Sequence, residues 1–302
     1  MPRPSRPDFE NRYVGRFAPS PTGPLHLGSL IAALASYLDA RANCGRWLLR
    51  IEDLDPPRQP AGAADQILRQ LEAMGLHWDG PVFYQSSCHE AYAEALDSLR
   101  KAGLVYPCDC SRRQIRTMGS IYDGRCRKRV EPPNKAYALR LHTTNEPIAF
   151  TDLIQGEFGQ RLQSDVGDFV IKRKDSLFAY QLAVVVDDAN QGITNIVRGY
   201  DLLDSTPRQI YLQKILQLPE PQYAHIPILV DTRGDKLSKQ SHADSIDLKL
   251  GSQLMRESLR FLGQYPDPEL HQAPAPEQLQ WAVSNWDIQS VPKLATIAES
   301  LD

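Results

Sequence analysis

Arg12-Tyr13-Val14-Gly15-Arg16-Phe17-Ala18-Pro19-Ser20-Pro21-Thr22-Gly23-Pro24-Leu25-His26-Leu27-Gly28-Ser29 is the stretch whose reading decides the fold. Its first seven residues form a short, mostly apolar run suited to a buried strand. Pro19 to Pro24 interrupt that run as a loop, and a helical pattern then extends from Leu25 to about Asn43. Moving outward, Trp47-Leu48-Leu49-Arg50-Ile51 reads as a second strand, closed by the acidic cluster Glu52-Asp53-Leu54-Asp55. Helical periodicity returns around 61–74 and again around 88–102. Strand, helix, strand, helix implies a parallel sheet with crossover helices. In such sheets ligands bind beyond the carboxyl ends of the strands.

From about 106 to 170 this order is replaced by cysteines, basic residues and short strand-like runs. It then resumes. Ala179 to Ala189 reads as a buried helix, Ile193 to Val197 as a strand, and Tyr223 to Val230 as another. Ser205-Thr206-Pro207 is a good helix start, with a hydroxyl cap and a proline in the first turn. An α/β domain interrupted by an insertion fits this order better than two successive domains. The expected division is a flexible tail over 1–11, a first catalytic half over 12–105, an inserted subdomain over 106–172, a second catalytic half over 173–249 and a helical region over 250–302. The last of these is divided by the Pro-rich stretch Pro266 to Pro276. No internal repeat is visible.

The 302 residues suffice for a sizeable core, and an apolar share of 42% with a charged share of 24% is ordinary for a globular protein. No apolar run approaches the roughly 18 residues needed to cross a bilayer. The opening Met1 to Pro7 is basic but lacks the apolar stretch of a signal peptide, so a cytoplasmic protein is expected. Net charge is −3, yet residues 111–140 carry nine bases (Arg112, Arg113, Arg116, Arg125, Arg127, Lys128, Arg129, Lys135, Arg140) against two acids (Asp123, Glu131). A block of that density suits a phosphate backbone. Of five cysteines, Cys44 and Cys88 stand alone and read as small, half-buried apolar residues. Cys108, Cys110 and Cys126 cluster, which suggests a closed structural zinc site in a loop-rich insertion. Three thiolates leave one tetrahedral position, for Tyr122, a nearby histidine such as His142, or water.

Two motifs carry the chemistry. Pro24-Leu25-His26-Leu27-Gly28-Ser29 lies between a strand and a helix, where unpaired N–H groups and the positive dipole end favour phosphate. Gly234-Asp235-Lys236-Leu237-Ser238-Lys239-Gln240 follows a strand more than 200 residues later, and its two lysines suit a triphosphate. No G-x-G-x-x-G accompanies the first turn, so a nicotinamide dehydrogenase is excluded.

Taken in order, His26-Leu27-Gly28-Ser29 and Lys236-Leu237-Ser238-Lys239-Gln240 resemble the two signatures of class I aminoacyl-tRNA synthetases, usually written HIGH and KMSKS. Arg16 to Gly23, Leu49 to Asp53 and Val197 to Leu203 are similar to segments of the glutamyl branch. The resemblance implies that His26 and Lys239 are catalytic at the α-phosphate. It places Thr22, His26, Gly28, Ser29, Lys236, Ser238 and Lys239 around ATP with its Mg2+. Around L-glutamate it places Arg16, Ala18, Ser20, Glu52, Tyr180 and Arg198, either arginine serving either carboxylate. It also favours Tyr122 as the fourth zinc ligand beside Cys108, Cys110 and Cys126.

About 60 residues follow Gln240, too few for the anticodon-reading domain of a full glutamyl-tRNA synthetase. Phe178 to Ala183 and Asp201 to Gln209 agree with a shortened branch of that family. The implied activity is tRNA-independent formation of glutamyl-adenylate, then transfer to queuosine at the wobble position of tRNA(Asp). The basic insertion would grip the anticodon stem-loop, and a monomer is the simple default. The rivals are a true glutamyl-tRNA synthetase or a fragment of one, a silent RNA-binding paralogue, and a nucleotidyltransferase of another pathway.

Overall fold

The protein is seen here as a computed structural model that describes residues 13–119, 121–231 and 245–298. The sheet begins with β1 (Val14–Phe17), β2 (Arg46–Ile51) and β3 (Phe83–Tyr84), parallel in that order, with α1 (Leu27–Ala42) and α2 (Ala63–Ala73) as crossovers. After α3 (His89–Lys101) the chain leaves this sheet. It builds an antiparallel trio, β4 (Val105–Cys108), β5 (Ala138–Leu141) and β8 (Val170–Lys172), with the short α4 (Arg112–Arg116) after β4. Between β5 and β8 lie a hairpin of β6 (Pro147–Asp152) and β7 (Gly156–Arg161) and the single turn α5 (Leu162–Asp165). Then α6 (Tyr180–Asn190), β9 (Asn195–Gly199), α7 (Thr206–Leu216) and β10 (Gln222–Ile226) restore the α/β order. β9 and β10 pair in parallel. β9 lies against β1, where Thr194 N–H donates to the Val14 carbonyl at 3.0 Å and Val14 N–H to Thr194 Oγ1 at 2.9 Å.

Strand side chains alternate between two apolar clusters, as the pleat requires. Phe17, Trp47, Leu49, Val197, Ala224 and Ile226 face α1 and the C-terminal helices α8 (Gly251–Phe261) and α9 (Ala275–Asn285). Val14, Ile196 and Tyr223 face α3, α6 and α7. The same parity puts Arg16, Arg50, Arg198 and His225 on the second face, so four adjacent strands carry buried basic residues toward α6 and α7.

Five local expectations are corrected. The strand around 193–197 runs from Asn195 to Gly199, two residues later. Tyr223 to Val230 is not one strand: Pro227 separates β10 from β11 (Ile228–Val230), since proline supplies no ladder N–H. β11 pairs instead with β12 (Thr296–Ala298), so the 250–302 region ends in a strand and is not wholly helical. The hydroxyl cap before Thr206 is also absent, because a 3-10 turn, Tyr200–Ser205, runs straight into α7 and Ser205 Oγ accepts from Gln181 and Arg208 instead. Cys44 is likewise exposed, not half-buried, because it turns the chain after α1 with φ 52°. Cys88 is half-buried as expected.

Arg50 joins the first half of the sheet to α6. It is fully buried, donating through Nη1 to Asp188 Oδ1 at 2.8 Å and to Gln191 Oε1 at 2.7 Å. Glu52 lies 3.5 Å away and Asp187 4.0 Å. Arg50→Ala would leave these carboxylates buried without their cation. We expect urea denaturation to show a loss of about 3–5 kcal/mol; a loss under about 1 kcal/mol, the worth of a surface pair, would contradict this account.

Candidate functional site

From β1 the chain moves to β2 on one side, and it returns as β9 on the other. Strand order therefore reverses between β1 and β9, the place where open α/β sheets form a ligand crevice. A cleft of about 690 Å3 lies there. The loop after β1 contributes Ala18, Ser20 and Thr22, and the start of α1 contributes His26, Gly28 and Ser29. Arg16, Glu52, Tyr180 and Arg198 complete the wall. Every expected ATP and glutamate residue within the described chain thus lines one cavity, although the sequence separates them by up to 182 positions. Lys236, Ser238 and Lys239 lie outside the described residues, as does the tail over 1–11.

His26 has two duties. It is the N-cap of α1, its Nδ1 accepting Ser29 N–H at 3.3 Å, and its ring lines the cleft. The cap fixes the ring at the positive end of a 16-residue helix, a position suited to an anion.

Arg16 is held by Asp188, its Nε donating to Oδ1 at 3.2 Å. Arg198 is 5% exposed and oriented on two sides: Nε donates to His225 Nε2 at 3.0 Å and Nη2 to Thr206 Oγ1 at 2.8 Å. Its third terminus, Nη1, is buried and meets no hydrogen-bond acceptor among the described residues. Glu52 has the opposite problem. Burial pushes its carboxyl up to about 7, although Arg50 and Arg16 pull against this. Tyr180, the first residue of α6, is raised by burial as well. The cleft therefore offers a donor without an acceptor on one wall and an uneasy carboxylate on another.

Sequence reasoning missed several contributors. Asp188, Arg50, Thr206, His225 and Asp152 hold the site residues in place, and Arg58, Asp201 and Phe261 line the cleft. Arg50 stood within a quoted motif, but a charge in a strand gives no sign of burial. Asp152 and His225, 73 positions apart, carried no local signal.

The three clustered thiols come together as expected: the sulfurs of Cys108, Cys110 and Cys126 lie within 4.8 Å of one another and all are buried. Cys110 and Cys126 are 3.5 Å apart, close to the about 3.8 Å edge of a tetrahedron with Zn–S near 2.3 Å. Tyr122 Oη accepts from both Cys108 Sγ–H at 3.5 Å and Cys126 N–H at 3.1 Å. Burial would raise the Cys108 thiol, but hydrogen bonds from Tyr122, the Cys110 backbone and Arg140 bring it down to about 7. This donor set is compatible with zinc. His142 stands apart from it, its Nδ1 accepting Arg127 Nε–H at 3.1 Å and its ring lying against Tyr106.

The basic block divides into two sets. Arg125 pairs with Asp123, Arg127 with Asp168, and Arg129 and Lys135 with Asp109, while Arg140 lies over the Tyr122 ring at 3.8 Å. Arg112, Arg113, Arg116 and Lys128 are exposed and enter no ion pair among the described residues.

The model of the family described as tRNA synthetases class I (E and Q), catalytic domain, matches residues 13–259. The chain is 52% identical over 288 residues to the Glutamyl-Q tRNA(Asp) synthetase of Ectopseudomonas mendocina, covering 95% of this chain and 98% of that one. It is 53% identical over 293 residues to the protein of the same name from Neisseria meningitidis serogroup A, with 94% and 98% covered. Among solved structures, a glutamate tRNA ligase from Elizabethkingia meningosepticum in complex with its amino acid superposes with a TM-score of 0.80. Identity to it is 24%, over 96% of this chain and 67% of that one, and the likeness is one of fold.

The Glu52 carboxyl sits near 7 in the folded chain against an ordinary value of 4.5, so the folded state holds this proton more tightly than the unfolded state. Its ionisation therefore costs stability as pH rises through 7, and the cost vanishes below both values. Glu52→Gln should be more stable than the parent by on the order of 3 kcal/mol at pH 8 and by under about 1 kcal/mol at pH 5. Urea unfolding at the two pH values checks this, and a variant no more stable than the parent at pH 8 would refute it.

Proposed function

Since the chain belongs to the class I glutamyl and glutaminyl tRNA synthetase family, and within it to the glutamyl-Q tRNA(Asp) synthetases, we propose that this ligase activates L-glutamate with ATP without needing tRNA and then transfers it to queuosine in the anticodon of tRNA(Asp). The observation that carries the amino-acid assignment is the pairing of unmet needs in one cleft. Arg198 Nη1 meets no acceptor among the described residues, and Glu52 is a buried carboxyl pushed up to about 7. A substrate with an ammonium group and two carboxylates answers both. Its ammonium gives Glu52 a cation, and its carboxylates take the forks of Arg198 and Arg16. Ala18, Ser20 and Tyr180 fill the remaining wall beside it.

ATP would then lie along Thr22, His26, Gly28 and Ser29, with Lys236, Ser238 and Lys239 as the cationic and hydroxyl partners of its phosphates and Mg2+ to offset their charge. The glutamate carboxylate attacks the α-phosphorus and pyrophosphate leaves. Charge developing on the α-phosphate oxygens is met by His26, by the positive end of α1 and by Lys239. Catalysis of this kind is positioning and electrostatic stabilisation, with no covalent bond to the protein. The activated carbonyl passes to a hydroxyl of the queuosine cyclopentenediol, and AMP departs. The segment 106–172 is the inserted piece between catalytic halves 12–105 and 173–249, and its exposed Arg112, Arg113, Arg116 and Lys128 contact the anticodon stem-loop. The enzyme works as a cytoplasmic monomer.

The test uses ATP, magnesium and labelled glutamate with tRNA(Asp) bearing or lacking queuosine, or with tRNA(Glu), followed by nuclease mapping. We expect ATP–pyrophosphate exchange on glutamate alone, and label confined to the anticodon loop of queuosine-bearing tRNA(Asp). Label at the terminal adenosine of tRNA(Glu) would reinstate an ordinary synthetase.

Zinc belongs at Cys108, Cys110 and Cys126, with Tyr122 as fourth ligand, as a structural ion that ties β4 to the loop before β5. Metal analysis of the purified protein should give one zinc per chain, and Cys126→Ser should lose it and unfold more easily. Full zinc content in that variant would exclude this donor set.

A further inference from the structure

Arg198 Nε carries one hydrogen and donates it to His225 Nε2 at 3.0 Å, so Nε2 must present a lone pair. The ring proton is then on Nδ1, 2.6 Å from Asp152 Oδ2, which accepts it. Asp152 Oδ1 is fixed in turn by three backbone N–H groups, those of Ile154, Gln155 and His225, at 2.9–3.1 Å. Each donor therefore determines the next. All of these groups are shut from solvent: His225 and Thr206 are 0% exposed and Asp152 2%. Tyr223 lies beside His225 with 11° between the ring planes and 6.3 Å between the ring centroids. Burial, reinforced by Arg198, lowers the imidazolium to about 4 despite the neighbouring Asp152, in keeping with a neutral ring at physiological pH.

We propose that Asp152 and His225 are positioning residues for amino-acid recognition: together they fix the Nδ1–H tautomer, and that tautomer aims the Arg198 guanidinium so that Nη1 projects into the cleft as a carboxylate receptor. The proposal rests on the glutamate reading given above. It also assigns a role to the turn after β6, since Asp152 comes from the antiparallel part of the chain and not from the parallel sheet that it supports. A charge with no direct contact to substrate thus sets the geometry of one that has it, as the acidic residue does for histidine in hydrolytic triads.

The consequence of a single atom exchange follows from proton counting. In Asp152→Asn, an amide nitrogen in place of Oδ2 donates to Nδ1 and moves the ring proton to Nε2. That proton then faces Arg198 Nε–H, two donors meet, and the guanidinium turns away. His225→Gln supplies an amide oxygen where Nε2 was and needs no tautomer. With Asp152 in place the new amide N–H donates to the carboxylate while its oxygen accepts from Arg198, so His225→Gln should keep most of what Asp152→Asn loses.

In ATP–pyrophosphate exchange, Asp152→Asn should raise the KM for glutamate by about ten- to a hundredfold, the worth of one hydrogen bond to a charged group, and leave the KM for ATP within about twofold. His225→Gln should leave the KM for glutamate close to that of the unaltered enzyme. Nitrogen-15 NMR of the unaltered protein supplies a readout free of folding defects, and it should show His225 as the neutral Nδ1–H tautomer. An Nε2–H tautomer, an unchanged glutamate KM in Asp152→Asn, or an equal rise in both KM values in Asp152→Asn would each overturn the proposal. Failure of the glutamate reading looks different. There the unaltered enzyme gives no exchange with glutamate, or Arg198→Ala leaves its KM intact.

Discussion

Everything in the cleft depends on burying positive charge in one face of the sheet. Arg16, Arg50 and Arg198 are each at most 5% exposed, on three adjacent strands. Cations so placed lose most of their hydration, a penalty of several kcal/mol each unless matched nearby. α6 supplies the match for two of them. Asp188 accepts from both Arg16 and Arg50, and Asp187 stands behind, held by Gln85 and Tyr92. The arrangement stabilises little overall, since hydrophobic side chains of equal volume would do as well. What it achieves is direction. Arg16 and Arg198 are held in one orientation by their neighbours, so a ligand that met them would cost little side-chain ordering.

How much of this could be read in the sequence depends on the range of the signal. Local patterns carried far: α1, α2, α3 and α6 fall within two residues of their expected bounds, because 3.6-residue periodicity and Gly or Pro punctuation act over one element. The cleft was legible because its residues sit in short motifs at strand ends. The rest depends on contacts that no window covers. Asp152 looked like one more acid in an insertion, and its value comes from His225 lying beside it. The three-residue β12 has too few positions for alternation to show. Ser205 and Thr206 looked like cap residues, yet their hydroxyls were recruited by Arg208, Gln181 and Arg198, a tertiary demand stronger than the local preference.

The basic block teaches a related point. Counting nine bases suggested a block suited to a phosphate backbone, but five of them are engaged within the insertion by Asp109, Asp123, Asp168 and the Tyr122 ring. Charge in sequence is not charge available to a partner. The outward set is smaller and concentrated on α4, which places any phosphate contact on one side of the thiol cluster. Gly167 fits the same picture: with φ 75°, any Cβ there would stand 2.6 Å from the Tyr122 carbonyl oxygen, so only glycine lets the two segments meet.

Because β11 finds its partner in β12, the wall of the cleft formed by Ile228 and Leu229 is completed by residues almost 70 positions further on. Thr296 to Ala298 do not themselves line the cleft, yet they hold the outer edge of the strand that does. A backbone ladder carries no side-chain signature, so the shape of one pocket edge is tied to a segment whose own residues look indifferent to it.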